Sequence, residues 1–203
     1  MEQAKFWDKA ASKYANDPIK NMADYAATLQ RMKDILRPDH TVLELGCGTG
    51  STALELAGGV ARYLGTDVSP AMIEIAQDKA RGAAISGLSF QVGAAFDVPT
   101  GYDVIIALNM LHLLEDLEVT LARIHAALPP GGLLISKTSL LKDGLWVLPW
   151  IIPVMRAIGK APFVRALGQD VLFGMIKDAG FEITETIVQA DTAPRAFVVA
   201  RKV

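Results

Sequence analysis

Residues 41–50 read Thr-Val-Leu-Glu-Leu-Gly-Cys-Gly-Thr-Gly, and this segment is the strongest indication of the fold. Its first five residues have the apolar pattern of a short buried strand, and the three glycines that follow predict a tight turn into a helix. A second strand pattern runs from Ala61 and ends on Asp67. Open α/β sheets bind nucleosides with this order of elements, because the glycines let the backbone approach the ligand and the carboxylate accepts hydrogen bonds from ribose hydroxyls.

The spacing of the glycines separates two kinds of nucleoside-binding protein. A dinucleotide fingerprint, G-x-G-x-x-G, requires its third glycine where this chain has Ser51. Here the glycines give G-x-G-x-G, and Glu44 precedes them inside the strand. This segment resembles the first motif of the class I S-adenosylmethionine (SAM)-dependent methyltransferases. The resemblance is specific because Glu44 and an acid 23 residues later, Asp67, occur together.

Strand and helix patterns alternate along the rest of the chain and predict an α/β fold. Strands are expected at 41–45, 61–67, 88–92, 102–107, 133–137, 181–190 and 195–202, and helices at 3–15, 19–36, 50–57, 69–82, 116–128 and 169–179. Only residues 191–194 separate the last two strands, which are therefore expected to form an antiparallel hairpin. The predicted fold is a doubly wound, mostly parallel seven-stranded sheet with an antiparallel last strand and helices on both faces.

Composition limits the classes of protein that need to be considered. With 203 residues, 51% of them hydrophobic, the chain is expected to be a single domain, 1–203. A net charge of −2 argues against an extended nucleic-acid surface. A single cysteine, and a charged N-terminal segment without a signal peptide, predict a cytoplasmic protein. The apolar run 144–155 is shorter than the ~20 residues of a membrane-spanning helix, although peripheral membrane contact stays open.

Ligands of open parallel sheets lie outside the carboxyl ends of the strands, so the residues just past each strand are the candidates. The resemblance implies that SAM is the cofactor and that Glu44 supports its amino group, directly or through water. Asp67 is expected to hold the ribose diol, with capping of the following helix as the alternative. Met72 either borders the adenine or belongs to the core. The cofactor-binding candidates are Tyr14, Glu44, Gly46, Cys47, Gly48, Gly50, Asp67, Val68, Met72, Ala94, Ala95, Phe96, Asn109 and Met110.

The segment after the third strand departs from the family pattern. It resembles Gly-Asp-Ala-x-x-Leu-Pro, in which the Asp accepts from the adenine amino group, but Ala94 stands at the position of that Asp. Asp97, backbone groups of Ala95 and Phe96, or water must therefore read the adenine edge. After the fourth strand, the resemblance places Asn109 beside the sulfonium.

Two residues are candidates for a catalytic role. His112 is either a general base or a structural histidine that donates to the backbone. Tyr14 is the last residue of a leading segment that resembles Trp-Asp-x-x-Ala-x-x-Tyr, which in small-molecule methyltransferases folds over SAM as a lid. An amphipathic helix that packs on the sheet is the alternative. Cys47 has no basic partner nearby in the sequence, so we do not expect it to be a nucleophile. No spacing of His, Cys and carboxylates predicts a metal site.

The acceptor is expected to bind between the N-terminal lid, residues 1–36, and an insertion at 138–168. The aromatic and aliphatic side chains of the insertion suggest a hydrophobic acceptor, with ordinary packing as the alternative. The sequence thus predicts an enzyme that transfers the methyl group of SAM to a small apolar, aromatic or lipid-like acceptor, releasing S-adenosylhomocysteine (SAH). A SAM-binding partner or regulatory protein without catalysis is the alternative. A monomer or homodimer is expected.

Overall fold

The structure is a computed structural model, and it describes residues 2–19, 21–144, 155–156, 161–189 and 194–203. In chain order, the helices and strands are α1 (Glu2–Asn16), α2 (Met22–Ile35), β1 (Thr41–Leu45), α3 (Ser51–Leu56), β2 (Arg62–Asp67), α4 (Pro70–Ala83), β3 (Leu88–Val92), β4 (Val104–Leu108), α5 (Leu117–Ala127), β5 (Leu133–Ser139), α6 (Gln169–Asp178), β6 (Phe181–Gln189) and β7 (Arg195–Lys202). Single 3₁₀ turns occupy Ala57–Gly59 and Leu111–Leu113.

The strand order of the seven-stranded sheet is β3-β2-β1-β4-β5-β7-β6. Parallel pairing joins β1 to β2, β2 to β3 and β4 to β5. By contrast, β7 runs antiparallel to both β5 and β6. The predicted class, a mostly parallel α/β sheet with an antiparallel last strand, is confirmed, and so is the hairpin formed by the last two strands.

The chain divides into two compact units, Met1–Ala95 and Phe96–Val203. In the first unit, residues 42–45 of β1 are all buried, as expected for a parallel strand covered on both faces. Ser69 caps α4, because its side chain accepts from the backbone N–H of Met72 and Pro70 lies in the first turn. Helix α2 starts later than predicted because Asn21 caps it by accepting from the N–H of Asp24.

In the second unit, the core lies between the sheet and the apolar faces of two helices. Leu117, Leu121 and Ile124 lie at helical spacing on α5 and are fully buried. Strand β5 extends two residues beyond the prediction because its pairing with β7 continues to Ser139, opposite Arg195. The predicted insertion, 138–168, falls in part outside the described residues. Within the described residues, no helix combines the length and the apolar character needed to cross a bilayer.

Candidate functional site

The glycine turn after β1 has a backbone that other residues would adopt only with strain. Gly46, Gly48 and Gly50 have φ values of 67°, 54° and 75°, in the left-handed region. At Gly50 a Cβ would also lie 2.7 Å from Phe90 Cζ and 2.9 Å from Ala76 Cβ. Gly50 is therefore required both by its backbone conformation and by the close packing of α4 and β3 around it.

Asp67, at the end of β2, holds the glycine turn in place. Its Oδ2 accepts from the N–H of Gly48 at 3.0 Å, and its Oδ1 accepts from the N–H of Ser69 at 2.9 Å. Burial raises the pKa of Asp67 and the charge of Asp8 adds to this, while the backbone N–H groups oppose the shift. A carboxylate has about four acceptor positions, and three backbone N–H groups, of Gly48, Val68 and Ser69, act on Asp67, so acceptor capacity for a ligand remains. Contact with the entrance of α4 and contact with a ligand are therefore compatible.

Glu44 lies in the middle of the same region and is almost fully buried, with 2% of its surface exposed. Its Oε2 accepts from the hydroxyl of Tyr63 at 2.9 Å. Burial, with the charge of Asp67 as a smaller cause, raises the pKa of Glu44 to about 7, although the Tyr63 hydrogen bond acts in the opposite direction. In the absence of a nearby positive charge, this carboxyl group is thus partly protonated near neutral pH.

Helix α1 is attached to the entrance of α4 by Asp8. The Oδ1 atom of Asp8 accepts from Ser69 Oγ at 2.6 Å and from the N–H of Ala71 at 3.2 Å. The same helix carries Tyr14, whose ring lies 3.7 Å from where a Cβ on Gly48 would be. Partial burial, then the charges of Asp67 and Glu44, raise the pKa of Tyr14. The first unit therefore brings Tyr14, Glu44, Asp67 and the glycine turn together.

The other candidates of the first unit are less polar. Cys47 is buried, and burial, with the charges of Glu44 and Asp67, raises the pKa of its thiol far above its usual value. Such a thiol is a poor nucleophile. Met72 is 2% exposed and belongs to the core. Val68, Ala94 and Ala95 are each half-buried in the segments that follow β2 and β3.

In the second unit, Phe96 is exposed, and its carbonyl accepts from the Arg123 guanidinium at 2.9 Å. The same guanidinium lies 5.6 Å from the centre of the Phe96 ring, a cation–π distance. The position of this side chain is therefore set by α5 within its own unit.

The candidate residues that follow β4 are Asn109, Met110 and His112, and none of them is an acid. Asn109 has a φ of 55°, and its N–H donates to the carbonyl of Lys137 at 2.6 Å. Met110 is buried. The Nδ1 atom of His112 is buried and has no hydrogen-bond partner in the described part of the chain. Burial, with a smaller effect of the Arg195 charge, lowers the pKa of His112 to about 4. The imidazole is thus neutral at physiological pH and a weak base.

Within the first unit, two residues that were not among the predicted site residues contact the region around Glu44 and the start of α4. Asp8 contacts residues more than 60 positions away, so only the Trp-Asp pattern of the first helix could have indicated it. Tyr63 is a polar aromatic residue of β2 and is fully buried. A buried tyrosine usually places its hydroxyl against a partner, and this was the available signal.

Comparisons with known proteins agree with this geometry. Residues 42–132 match the family model described as a methyltransferase domain. A hybrid PKS-NRPS synthetase of Emericella nidulans is 36% identical over 108 residues, which are 48% of this chain and 3% of the synthetase. An uncharacterized methyltransferase of Mycobacterium bovis is 31% identical over 114 residues, which are 54% of this chain and 58% of that protein. The match thus spans less than two thirds of either relative.

A solved structure extends the likeness over nearly the whole chain. Magnesium protoporphyrin IX methyltransferase from Synechocystis PCC 6803, determined with bound SAH, has a TM-score of 0.73 at 18% identity and covers 98% of both chains. The sheet order, the glycine turn and the acid after β2 define a methyltransferase fold of the Rossmann-like type. Residues 42–132 thus form a methyltransferase domain, and the resemblance to the SAM-dependent methyltransferases found in the sequence is confirmed.

Proposed function

We propose that the protein binds SAM at the ends of β1 and β2 and transfers its methyl group to a small acceptor. The observation that carries the proposal is the Asp67 carboxylate, which is fixed by the N–H groups of Gly48 and Ser69 and retains acceptor capacity. The ribose hydroxyls of SAM are donors that suit this carboxylate. The neighbouring Glu44 carboxyl is buried without a positive partner among the groups that shift its pKa, which fits a ligand that brings an ammonium group.

The residues of the first unit have distinct roles in this proposal. Asp67 binds the ribose, and Glu44 orients the amino group. The glycine turn admits the methionyl part because three of its five residues have no side chain, and α1 covers the ligand with Tyr14 close to Gly48. When bound, SAM supplies an electrophilic methyl group on its sulfonium. Val68 borders the nucleoside, and the backbone of Ala94, Ala95 and Phe96, the first residue of the second unit, reads the adenine edge in place of the missing carboxylate.

In the second unit, we propose that Asn109 and Met110 line the cofactor and that His112 hydrogen-bonds the methyl acceptor. Its pKa of about 4 leaves the imidazole a weak base at neutral pH. Methyl transfer needs alignment more than proton removal, so an acceptor with an already nucleophilic atom suits this site. The apolar composition of 144–155 supports an apolar, aromatic or lipid-like acceptor; this segment lies mostly outside the described residues.

The cheapest test compares the melting temperature of the protein with SAM, SAH and NAD. We expect stabilisation by SAM and SAH and none by NAD, and stabilisation by NAD alone would contradict the assignment. A screen with methyl-labelled SAM against small metabolites and lipid extracts then tests transfer. Binding of SAM without transfer to any acceptor class would favour the alternative, a non-catalytic SAM-binding partner.

A further inference from the structure

The pairing of β1 with β2 places Tyr63 next to Glu44 for a geometric reason. Val42 pairs with Tyr63 and Glu44 with Gly65, so Glu44 and Tyr63 are diagonal neighbours on the same face of the sheet. Directly opposite Glu44, Gly65 presents no side chain. A Cβ there would lie 2.7 Å from the Phe90 ring and 3.0 Å from Cys47 Sγ. The Phe90 ring and Cys47 thus fill the space beside Gly65, and on the same face of the sheet the buried Tyr63 hydroxyl donates to Glu44 Oε2 at 2.9 Å.

The other titratable groups that interact with Glu44 in the first unit are acids or neutral hydroxyls and thiols. Asp67 lies at the end of β2, Cys47 in the glycine turn, Tyr14 on α1 and Tyr25 on α2. Tyr25 forms its side-chain hydrogen bond with Thr52. No cation is among the groups that shift the pKa of Glu44 in the described residues of this unit. The surroundings of Glu44 thus disfavour its charged form until a positive ligand arrives.

We propose that Tyr63 is a positioning residue that holds Glu44 for the ammonium group of SAM, and that SAM binding ionises Glu44 and releases its proton to solvent. This inference rests on the proposed function. The ammonium group replaces the proton as the partner of the buried carboxylate, so charge at Glu44 is balanced in both states. The Tyr63 hydroxyl donates to the carboxylate, which favours its ionised form and keeps the side chain facing the site.

Proton release predicts a specific pH dependence of SAM affinity. Below the pKa of Glu44 in the cofactor-free protein, about 7, affinity should fall by about tenfold for each pH unit. Above it, affinity should be constant until the amino group of SAM itself loses its proton, at a pKa of about 8 for an α-amino group. Loss of the Tyr63 hydroxyl should move only the acidic limb, and it should move it to higher pH.

The experiment measures the dissociation constant of SAM by calorimetry from pH 5.5 to 9 for wild type, Tyr63→Phe and Tyr25→Phe. For Tyr63→Phe, we expect the dissociation constant to be about tenfold above wild type below pH 7, which corresponds to a shift of about one pKa unit. The ratio should approach one above pH 8.5. Tyr25→Phe is the matched control, because it removes a hydroxyl near Glu44 that is bonded to Thr52 instead; its ratio should stay near one.

Two further measurements need no variant of Tyr63. The first uses SAM and the second uses another ligand. Titration of wild type at pH 6, in buffers with different ionisation enthalpies, should show release of close to one proton per SAM bound. The probe 5′-methylthioadenosine has the nucleoside without the amino-acid portion, and its affinity should show no acidic limb. Because these measurements use wild type, they keep the proposal testable if Tyr63→Phe does not fold.

The outcomes separate this inference from the proposed function. If wild type binds SAM without an acidic limb or proton release, the proton linkage is wrong while SAM binding stands. A Tyr63→Phe ratio that is constant over the whole pH range would mean that the hydroxyl serves packing only, which overturns the positioning role. If wild type binds SAM at no pH, the proposed function itself fails.

Discussion

The end of β1 and the turn after β4 each carry a titratable side chain with a buried polar atom, and the two differ in whether that atom has a hydrogen-bond partner. Glu44 accepts a hydrogen bond from Tyr63, whereas His112 Nδ1 has no partner in the described residues. Burial raises the pKa of Glu44 to about 7 and lowers that of His112 to about 4. Burial thus favours the neutral form of both groups, but only the carboxyl group near β1 is poised to change charge at physiological pH.

This difference has opposite consequences for stability. The pKa of Glu44 is higher in the folded protein than its usual 4.5, so its contribution to stability is present below pH 4.5 and is lost as pH rises through about 7. The pKa of His112 is below its usual 6.5, so its contribution is present above pH 6.5 and is lost as pH falls through about 4. Between pH 4.5 and 6.5 the two slopes oppose each other.

The first prediction compares the left-handed backbone positions after β1 and after β4, and it has the largest effect on stability. Gly50→Ala should lower the free energy of unfolding by about 2–5 kcal/mol, from the left-handed backbone together with overpacking against Phe90. Asn109→Gly, at the left-handed position after β4, should change stability by no more than about 1 kcal/mol. Urea unfolding measures both. Gly58→Ala is the control, because a Cβ there has nothing within 4 Å; an equal loss in Gly58→Ala would contradict the packing argument.

The next effect tests the opposite pH slopes with two variants. Glu44→Gln removes one titrating group, and wild type should lose about 3 kcal/mol relative to this variant as pH rises from 4.5 to 7. For His112→Phe the sign reverses, and wild type should gain about 3 kcal/mol relative to the variant between pH 4 and 6.5. Urea unfolding at steps of half a pH unit gives both curves. Curves that run parallel to that of wild type would show that burial does not shift the two groups in this way.

A smaller effect concerns ligand binding at the end of β2. Asp67→Ala should weaken SAM binding by about 1–3 kcal/mol, the usual loss for hydrogen bonds to a charged group. Calorimetry measures the affinity, and SAH should lose as much because it contains the same ribose. His112→Phe, at the end of β4, is the comparison and should leave SAM affinity nearly unchanged. Unchanged SAM affinity in Asp67→Ala would remove the basis of the cofactor assignment.

The sequence predicted the β1 region better than the region after β4. Strands β1 and β3 lie at the predicted residues, since their apolar runs are bounded by clear turn signals. The nearness of Glu44 and Asp67 followed from the rule that parallel strands end at the same edge of a sheet. By contrast, β4 was predicted two residues early, and the 3₁₀ turn that carries His112 was not predicted. A single turn is too short for a periodic pattern.

Contacts between distant residues account for what the sequence could not show. The hydrogen bond from Tyr63 to Glu44 depends on the register of β1 and β2, which places the two residues diagonally on the same face of the sheet. The contact of Asp8 with Ser69 depends on how α1 packs across α4. Neither register nor helix docking has a local sequence signal, although the residue types were visible.

The last prediction concerns Asp8, the third acid of the β1–β2 region beside Glu44 and Asp67, and its effect is the smallest. The site residues predicted in the second unit include no acid. Asp8→Ala should cost about 1 kcal/mol, the usual value of a helix cap. Because the contact joins α1 to the entrance of α4, faster amide hydrogen exchange should appear in α1 and at residues 71–72, with little change in β5. Asp17→Ala is the control, since that acid pairs only with Lys13 at the surface among the contacts described.

The charge of Asp8 can be separated from its hydrogen bonds by Asp8→Asn. This variant keeps an oxygen that can accept from Ser69 and Ala71, so α1 should stay protected from exchange. Removal of the negative charge should lower the pKa of Asp67, which Asp8 helps to raise. Asp67 is then ionised in a larger fraction of molecules at acid pH. SAM affinity should therefore fall less in Asp8→Asn than in wild type as the pH is lowered to 5. Exchange as fast in Asp8→Asn as in Asp8→Ala would mean that α1 is held by the charge of Asp8 at the helix end, not by the cap.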